Sequence, residues 1–226
     1  MRDFGAMRAF LFDLDGVLVF TDRHHCRAWR QLADEQGWAF DEAVNERCKG
    51  VPRMASLEVI LRHNGIDLPQ AEKEGLADRK NEAYVARLAR IDRSDMVAGA
   101  LPFLRTLREA GGRIGLCSAS RNASLVVERL GMEALFDARI TGHEVERPKP
   151  DPDIFLKGAA ECGASPAEAL VFEDALSGVQ AARAAGCACV GVGDPDALPG
   201  ADAHIRDFTD PALADLFPRL HLSEIR

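Results

Sequence analysis

The sequence contains no apolar run of the roughly 18–20 residues that a helix needs to cross a bilayer. Its opening, MRDFGAMRAF, also lacks the apolar core of a secretory signal, so a cytoplasmic protein that binds no membrane is expected. Cysteine is sparse and poorly spaced for ligation: six are present, with no C-x-x-C pair. Neither a disulfide framework nor a zinc or redox site follows, and all six are expected to stay reduced. Cys187 and Cys189, two apart, share one face of a strand. Positive charge is in deficit. A formal net charge of −8 argues against nucleic acid or an anionic membrane as a partner. An anionic small molecule remains compatible where a few Lys or Arg side chains, or a metal ion, reverse the field locally. Internal repeats and low-complexity tracts are absent as well.

What is present is ordinary globular composition, 47% hydrophobic and 28% charged over 226 residues. That length suits one domain with a sizeable insertion, or two small domains. Short, near-continuous apolar runs at residues 8–13, 113–118, 169–174 and 187–193 read as parallel strands covered on both faces. Between them helical patterns stop at glycine: ALPFLRTLREAGG at Gly111 and Gly112, NASLVVERLG at Gly131, and LSGVQAARAAG at Gly186. A further short strand, AHIRD, and a last helix lie in the loop-rich tail. Strand, helix, glycine, strand is the pattern of an α/β, doubly wound, Rossmann-like parallel sheet. Residues 21–95 read differently, as charged helices without a convincing strand (HHCRAWRQLADEQG, MASLEVILRHNG, AEKEGLADRKNEAYVARLARI). The expected organisation is an α/β core of residues 1–20 and 96–226, with a helical cap domain of residues 21–95 inserted after the first strand. Such an insertion stands over the carboxyl edge of the sheet, where open α/β sheets bind ligands.

The first strand ends in FDLDG, with Asp13 and Asp15 at alternate positions and Gly16 behind them. On that spacing alone, two solvated acids in a strand-end turn is the plain reading. The polar groups ending the other strands change it. LCSAS brings Ser118 to the start of a helix, where a hydroxyl and free backbone N–H groups make an anion site. VFED brings Glu173 and Asp174, and RPKPDPDIF holds Lys149 between two prolines. Each has a solitary reading too: Ser118 as an N-cap, Glu173 and Asp174 as helix-capping acids, Lys149 as a surface residue. Together they are the parts that phosphoryl transfer requires. A phosphate monoester repels a carboxylate nucleophile, so a hard divalent ion must stand between them. Mg²⁺ is expected on Asp13, the Asp15 backbone carbonyl, Glu173 and Asp174. Lys149 and Ser118 are suited to hold phosphoryl oxygens as charge spreads. Asp13 then attacks to give an aspartyl phosphate, and Asp15 protonates the leaving oxygen and deprotonates the incoming one.

FDLDGVL, SAS, KPDPDIF and FEDALSGVQAARAAG resemble the four motifs of the haloacid dehalogenase superfamily, with matches along the whole chain. Membership implies Mg²⁺-dependent phosphoryl transfer through an aspartate. HCRAW, KGVPR, RKNEAYV and SASRN are most similar to the β-phosphoglucomutase family within it. That resemblance implies a phosphohexomutase interconverting β-D-glucose 1-phosphate and D-glucose 6-phosphate through a bisphosphate intermediate. A small sugar phosphate is the implied partner, and a monomer the expected assembly. By the same resemblance His25 helps to place Asp15 on cap closure, and Arg53 binds the phosphate that is not being transferred. Trp29, Lys49, Gly50 and Lys80 shape the cap side, while Ser118, Ala119, Ser120, Asn122 and Lys149 line the core side. Read alone, His25 is a half-exposed histidine near a helix start, Arg53 a solvated arginine, and Trp29, like Trp38, a cap core residue.

The chain departs from its family at several points. Phe20 stands where an aspartate is usual, Pro52 where serine is, and Met54 and Ala55 where acids are. Arg121 replaces a lysine, and Pro148 a small polar residue. None removes a chemical group from the mechanism, but the loop around Pro52 bears on sugar specificity. Two rival readings share the scaffold. One is a Mg²⁺-dependent sugar-phosphate phosphatase. The other is a catalytically silent binding protein, against which the intact Asp13, Asp15, Lys149 and Asp174 stand.

Overall fold

Phe10 and Phe12 point into one hydrophobic layer while Ala9 and Leu11 point into another, so strand β1 (Ala9–Phe12) is buried on both faces. The same division holds in β4 (Ala169–Glu173), where Leu170 and Phe172 oppose Ala169 and Val171. Near-continuous apolar runs arise where helices cover a sheet on both sides. The computed structural model describes Phe4, residues 6–48 and residues 51–220. With β2 (Arg113–Cys117), β3 (Ala138–Ile140), β5 (Ala188–Val192) and β6 (Ala203–Ile205), the two strands form one sheet in the order β3-β2-β1-β4-β5-β6. Every neighbouring pair is parallel. This is the expected doubly wound α/β sheet.

One strand differs from the sequence reading. β3 is only three residues long and its central Arg139 is exposed, so it carries no apolar run. Its pairing with Gly115, Leu116 and Cys117 of β2 creates it.

Between β1 and β2 lie helices α1 (Asp22–Gln36), α2 (Glu42–Glu46), α3 (Arg53–His63) and α4 (Gln70–Leu88), followed by α5 (Ala100–Glu109) beneath the sheet. α1 stops at Gly37, whose φ of 70° supplies the left-handed cap. α1 to α4 enclose a hydrophobic cluster of their own, including Trp29, Leu32, Val44, Leu57 and Leu61. Tyr84 and Leu88, at the end of α4, join the core cluster instead. The remaining helices, α6 (Ala123–Arg129), α7 (Asp153–Glu161), α8 (Leu176–Ala185) and α9 (Ala212–Leu216), follow β2, β3, β4 and β6. Among the described residues no helix is long and apolar enough to cross a membrane.

Register sets the site. Phe12 is aligned with Leu116 on one side and Phe172 on the other, where the Phe12 and Phe172 rings stack with centroids 4.6 Å apart. The next residues of these strands therefore emerge together at the carboxyl edge: Asp13, Cys117 with Ser118 behind it, and Glu173. The segments before α1 and after α4 run side by side. Phe20 N–H donates to the Asp95 carbonyl at 2.7 Å, and Val19 bridges Met96. The buried Asp95 carboxylate also accepts from Arg23 and lies 3.3 Å from His24 Nε2, so one acid fastens both segments.

Candidate active site

Asp13, Lys149 and Glu173 form the floor of the site. Lys149, buried beneath the loop before α7, donates to Asp13 Oδ1 at 2.5 Å, and it also donates to Glu173. Burial opposes its charge, but the Asp13 and Glu173 carboxylates outweigh that cost and hold the ammonium protonated well above the usual lysine range. Asp13 Oδ2 accepts the Asp15 backbone N–H at 2.9 Å, which closes the turn and fixes the carboxylate.

Two glycines make room for the second acid pair. A Cβ on Gly178 would lie 1.9 Å from Glu173 Oε1, and a Cβ on Gly16 would lie 1.9 Å from Asp174 Oδ2. Gly16 also has φ +82°, a left-handed conformation that side chains rarely adopt. Glu173 Oε1 accepts from Lys149 and Oε2 accepts the Ala175 N–H at 3.0 Å. Among the described residues no three His, Cys, Asp or Glu side chains form a cation cage by themselves. Oxygen donors nonetheless converge in Asp13, Glu173, Asp174 and the Asp15 carbonyl. Asp174 is pushed well above the ordinary carboxylate range by burial and by Glu173, Asp13 and Asp22. A buried, mutually repelling set of hard oxygens fits a small divalent cation such as Mg²⁺.

Asp15 sits above Asp13 and is held from two directions. Its Oδ1 accepts from the buried Thr21 hydroxyl, and His25 Nε2 lies 3.8 Å from the same atom. Its Oδ2 accepts from Ser118 Oγ at 3.5 Å. Burial and the Asp13 charge raise the Asp15 carboxyl to about 7, although the Thr21 bond works the other way.

His25 stacks on Tyr84, with ring centroids 3.9 Å apart, and its Nδ1 is 2.8 Å from Lys80 Nζ. Burial and the Lys80 charge keep the imidazole well below its usual pKa, hence neutral, with Nδ1 accepting and Nε2–H left for Asp15. Lys80 is 3% exposed, and its Nζ lies over the rings of Trp29 at 4.7 Å and Tyr84 at 5.0 Å. Burial, then Arg53, brings it down to about 7. Trp29 thus belongs to the hydrophobic cluster of α1 to α4 and to the cavity wall at once.

Asp13, Asp15, His25, Lys80, Lys149 and Asp174 line a cavity of about 1080 Å³ between helices α1 to α4 and the carboxyl edge of the sheet. Ala119, Ser120, Arg121 and Asn122 form its core side. Arg53, at the start of α3, looks across at them while its Nη1 donates to the Ala77 carbonyl and Asp78, both at 3.3 Å. Ser118 is buried, accepting the Ser120 N–H at 3.1 Å on its hydroxyl. Lys49 and Gly50 lie outside the described residues. Sequence reasoning overlooked Thr21 and Asn81. A threonine before a charged helix start was the available signal for the first. Asn81, beside Lys80 on α4, had none.

A family model described as haloacid dehalogenase-like hydrolase matches residues 7–186. The chain is 39% identical over 209 residues to the β-phosphoglucomutase of Bacillus subtilis, covering 92% of each protein. It is 34% identical to a fructose-1-phosphate phosphatase of Escherichia coli, covering 80% of this chain and 94% of that one. The crystal structure of a β-phosphoglucomutase from Clostridium difficile superposes with a TM-score of 0.85 at 35% identity, covering 89% of this chain and 92% of that one.

Proposed function

Because the chain belongs to the haloacid dehalogenase-like hydrolase family, we propose that it is a phosphohexomutase interconverting β-D-glucose 1-phosphate and D-glucose 6-phosphate. Asp13 attacks the phosphorus of the bisphosphate, the bond from phosphorus to the sugar oxygen breaks, and Asp15 gives that oxygen its proton. When β-glucose 1-phosphate next binds, its 6-hydroxyl attacks the aspartyl phosphate, Asp15 takes the proton, and the bond from phosphorus to Asp13 breaks. The new bisphosphate turns round so that Asp13 attacks the phosphorus on its C1 oxygen. A group near pKa 7 serves both directions at neutral pH. Mg²⁺, held by Asp13, the Asp15 carbonyl, Glu173 and Asp174, would neutralise charge between carboxylate and phosphate. Lys149 and Ser118 steady the phosphoryl group, and Arg53 faces the far phosphate, with Ser120, Arg121 and Asn122 opposite. Residues 21–95 move as the cap on a core of residues 1–20 and 96–226.

The observation that carries this reading is the contact chain from Lys80 through His25 to Asp15. A mutase must keep water from the aspartyl phosphate until a sugar hydroxyl arrives, so its proton shuttle has to respond to the cap. Here a cap-helix ammonium is joined to the shuttle through one imidazole. The identity to β-phosphoglucomutases supports the same reading; the 34% identity to a sugar-phosphate phosphatase supports hydrolysis as the second. The test is turnover of β-glucose 1-phosphate with Mg²⁺ and a trace of bisphosphate. Glucose 6-phosphate should form, and both excess chelator and Asp13→Asn should abolish it. Turnover surviving either treatment overturns the proposal.

A further inference from the structure

We propose that Asn81 determines whether the phosphate on Asp13 passes to a sugar hydroxyl or to water. The inference rests on the phosphotransfer reading above. Asn122 Nδ2 donates to Asn81 Oδ1 at 2.8 Å, and both residues line the cavity. Asn81 belongs to α4 of the cap; Asn122 ends the loop that follows β2 of the core. The bond therefore spans the cleft.

Its position in a larger circuit gives it consequence. The Asn122 backbone N–H donates to Ser120 Oγ at 3.2 Å, the Ser120 N–H to Ser118 Oγ at 3.1 Å, and Ser118 Oγ to Asp15 Oδ2 at 3.5 Å. From the neighbouring residue on α4, Lys80 reaches His25, which faces Asp15 Oδ1. Two adjacent residues of one cap helix thus reach the two oxygens of the proton shuttle by opposite routes. The circuit is complete only with the cap down, and the link from Asn81 to Asn122 closes it. Asn122 Nδ2 carries two hydrogens, so one remains for a ligand while the other holds the cap.

The two fates of the aspartyl phosphate share one set of bond changes. The attacking oxygen, of water or of sugar, bonds to phosphorus and gives its proton to the Asp15 carboxylate. The bond from phosphorus to Asp13 breaks and the Asp13 carboxylate is regenerated. Only access differs, so an unlatched cap favours water.

Two variants test this in the full chain with Mg²⁺. Asn81→Leu removes the acceptor at similar volume, and Asn81→Asp keeps an acceptor for Asn122. Asp13 is phosphorylated with acetyl phosphate, and its dephosphorylation is timed without sugar and again with β-glucose 1-phosphate. Asn81→Leu should hasten release to water relative to transfer by about 3- to 10-fold, as expected for one neutral hydrogen bond, while Asn81→Asp stays within about twofold of wild type on the same scale. An unchanged ratio in Asn81→Leu, or equal rises in both variants, overturns the latch. Wild type that makes no glucose 6-phosphate overturns the mutase reading instead, while the sugar-free lifetimes still decide the role of Asn81.

Discussion

Lys80 Nζ stands 2.8 Å from His25 Nδ1, although the two are 55 positions apart in the chain. The contact joins α4 to the residue facing Asp15. It also explains how a lysine is tolerated there: two aromatic faces and an imidazole nitrogen replace water. The substitution is incomplete, because Lys80 is left with a pKa of about 7.

That depression has a sign. Between about pH 7 and 10.4 the unfolded chain binds the Lys80 proton and the folded chain does not, so stability rises with pH in this window. Lys80→Met removes the linkage. Its stability advantage over wild type should be largest below pH 7 and shrink by about 1 kcal/mol per pH unit between roughly pH 7.5 and 9.5. Urea titrations at a series of pH values measure it; a gap independent of pH contradicts the assigned shift.

Lys149→Met should be damaging to the fold as well as to activity. It leaves Asp13 and Glu173 buried without their common cation, and removing one partner from such a network costs about 3–5 kcal/mol. Chemical denaturation near neutral pH should show this loss. Unchanged stability would mean that water already reaches the pair.

Much of this site could be read before any coordinates. Asp13, Asp15, Ser118 and Lys149 follow strand or proline signals that local physics makes plain, and parallel strands bring such ends together. The contact between Glu173 and Lys149 was not legible, because it depends on where the Lys149 stem reaches, which no spacing encodes. β3 was invisible for a similar reason: three residues with an exposed Arg139 become a strand only when β2 is beside them. His24, read only as a neighbour of His25, lies against Asp95 at the hinge. Asn81 is a single amide on a charged helix, and its meaning comes wholly from the loop across the cleft.

Gly178→Ala and Gly16→Ala should each cut turnover by about 100-fold or more, through different acids. The first expels Glu173 from Lys149, and the second displaces Asp174. A misplacement of about 1 Å at a reacting centre is enough for such a loss. Steady-state kinetics at saturating Mg²⁺ measures it. Near-wild-type kcat in either variant contradicts the close approach.

Arg53→Ala should lower kcat/KM for the glucose phosphates by about 10- to 1000-fold, because a charge-assisted pair to the far phosphate is lost. Phosphorylation of Asp13 by acetyl phosphate, which has no second phosphate, should change less than about twofold. Equal losses in the two assays would place Arg53 in the support of the fold rather than at the ligand.

The most direct measurement counts two products of the same reaction. Wild-type protein, Mg²⁺, β-glucose 1-phosphate and a trace of glucose 1,6-bisphosphate are mixed, and glucose 6-phosphate and inorganic phosphate are followed together. A cap-governed shuttle predicts glucose 6-phosphate in large excess, on the order of a hundred molecules for each phosphate released. Phosphate released in step with substrate loss, without glucose 6-phosphate, would contradict the mutase and leave a phosphatase on the same scaffold.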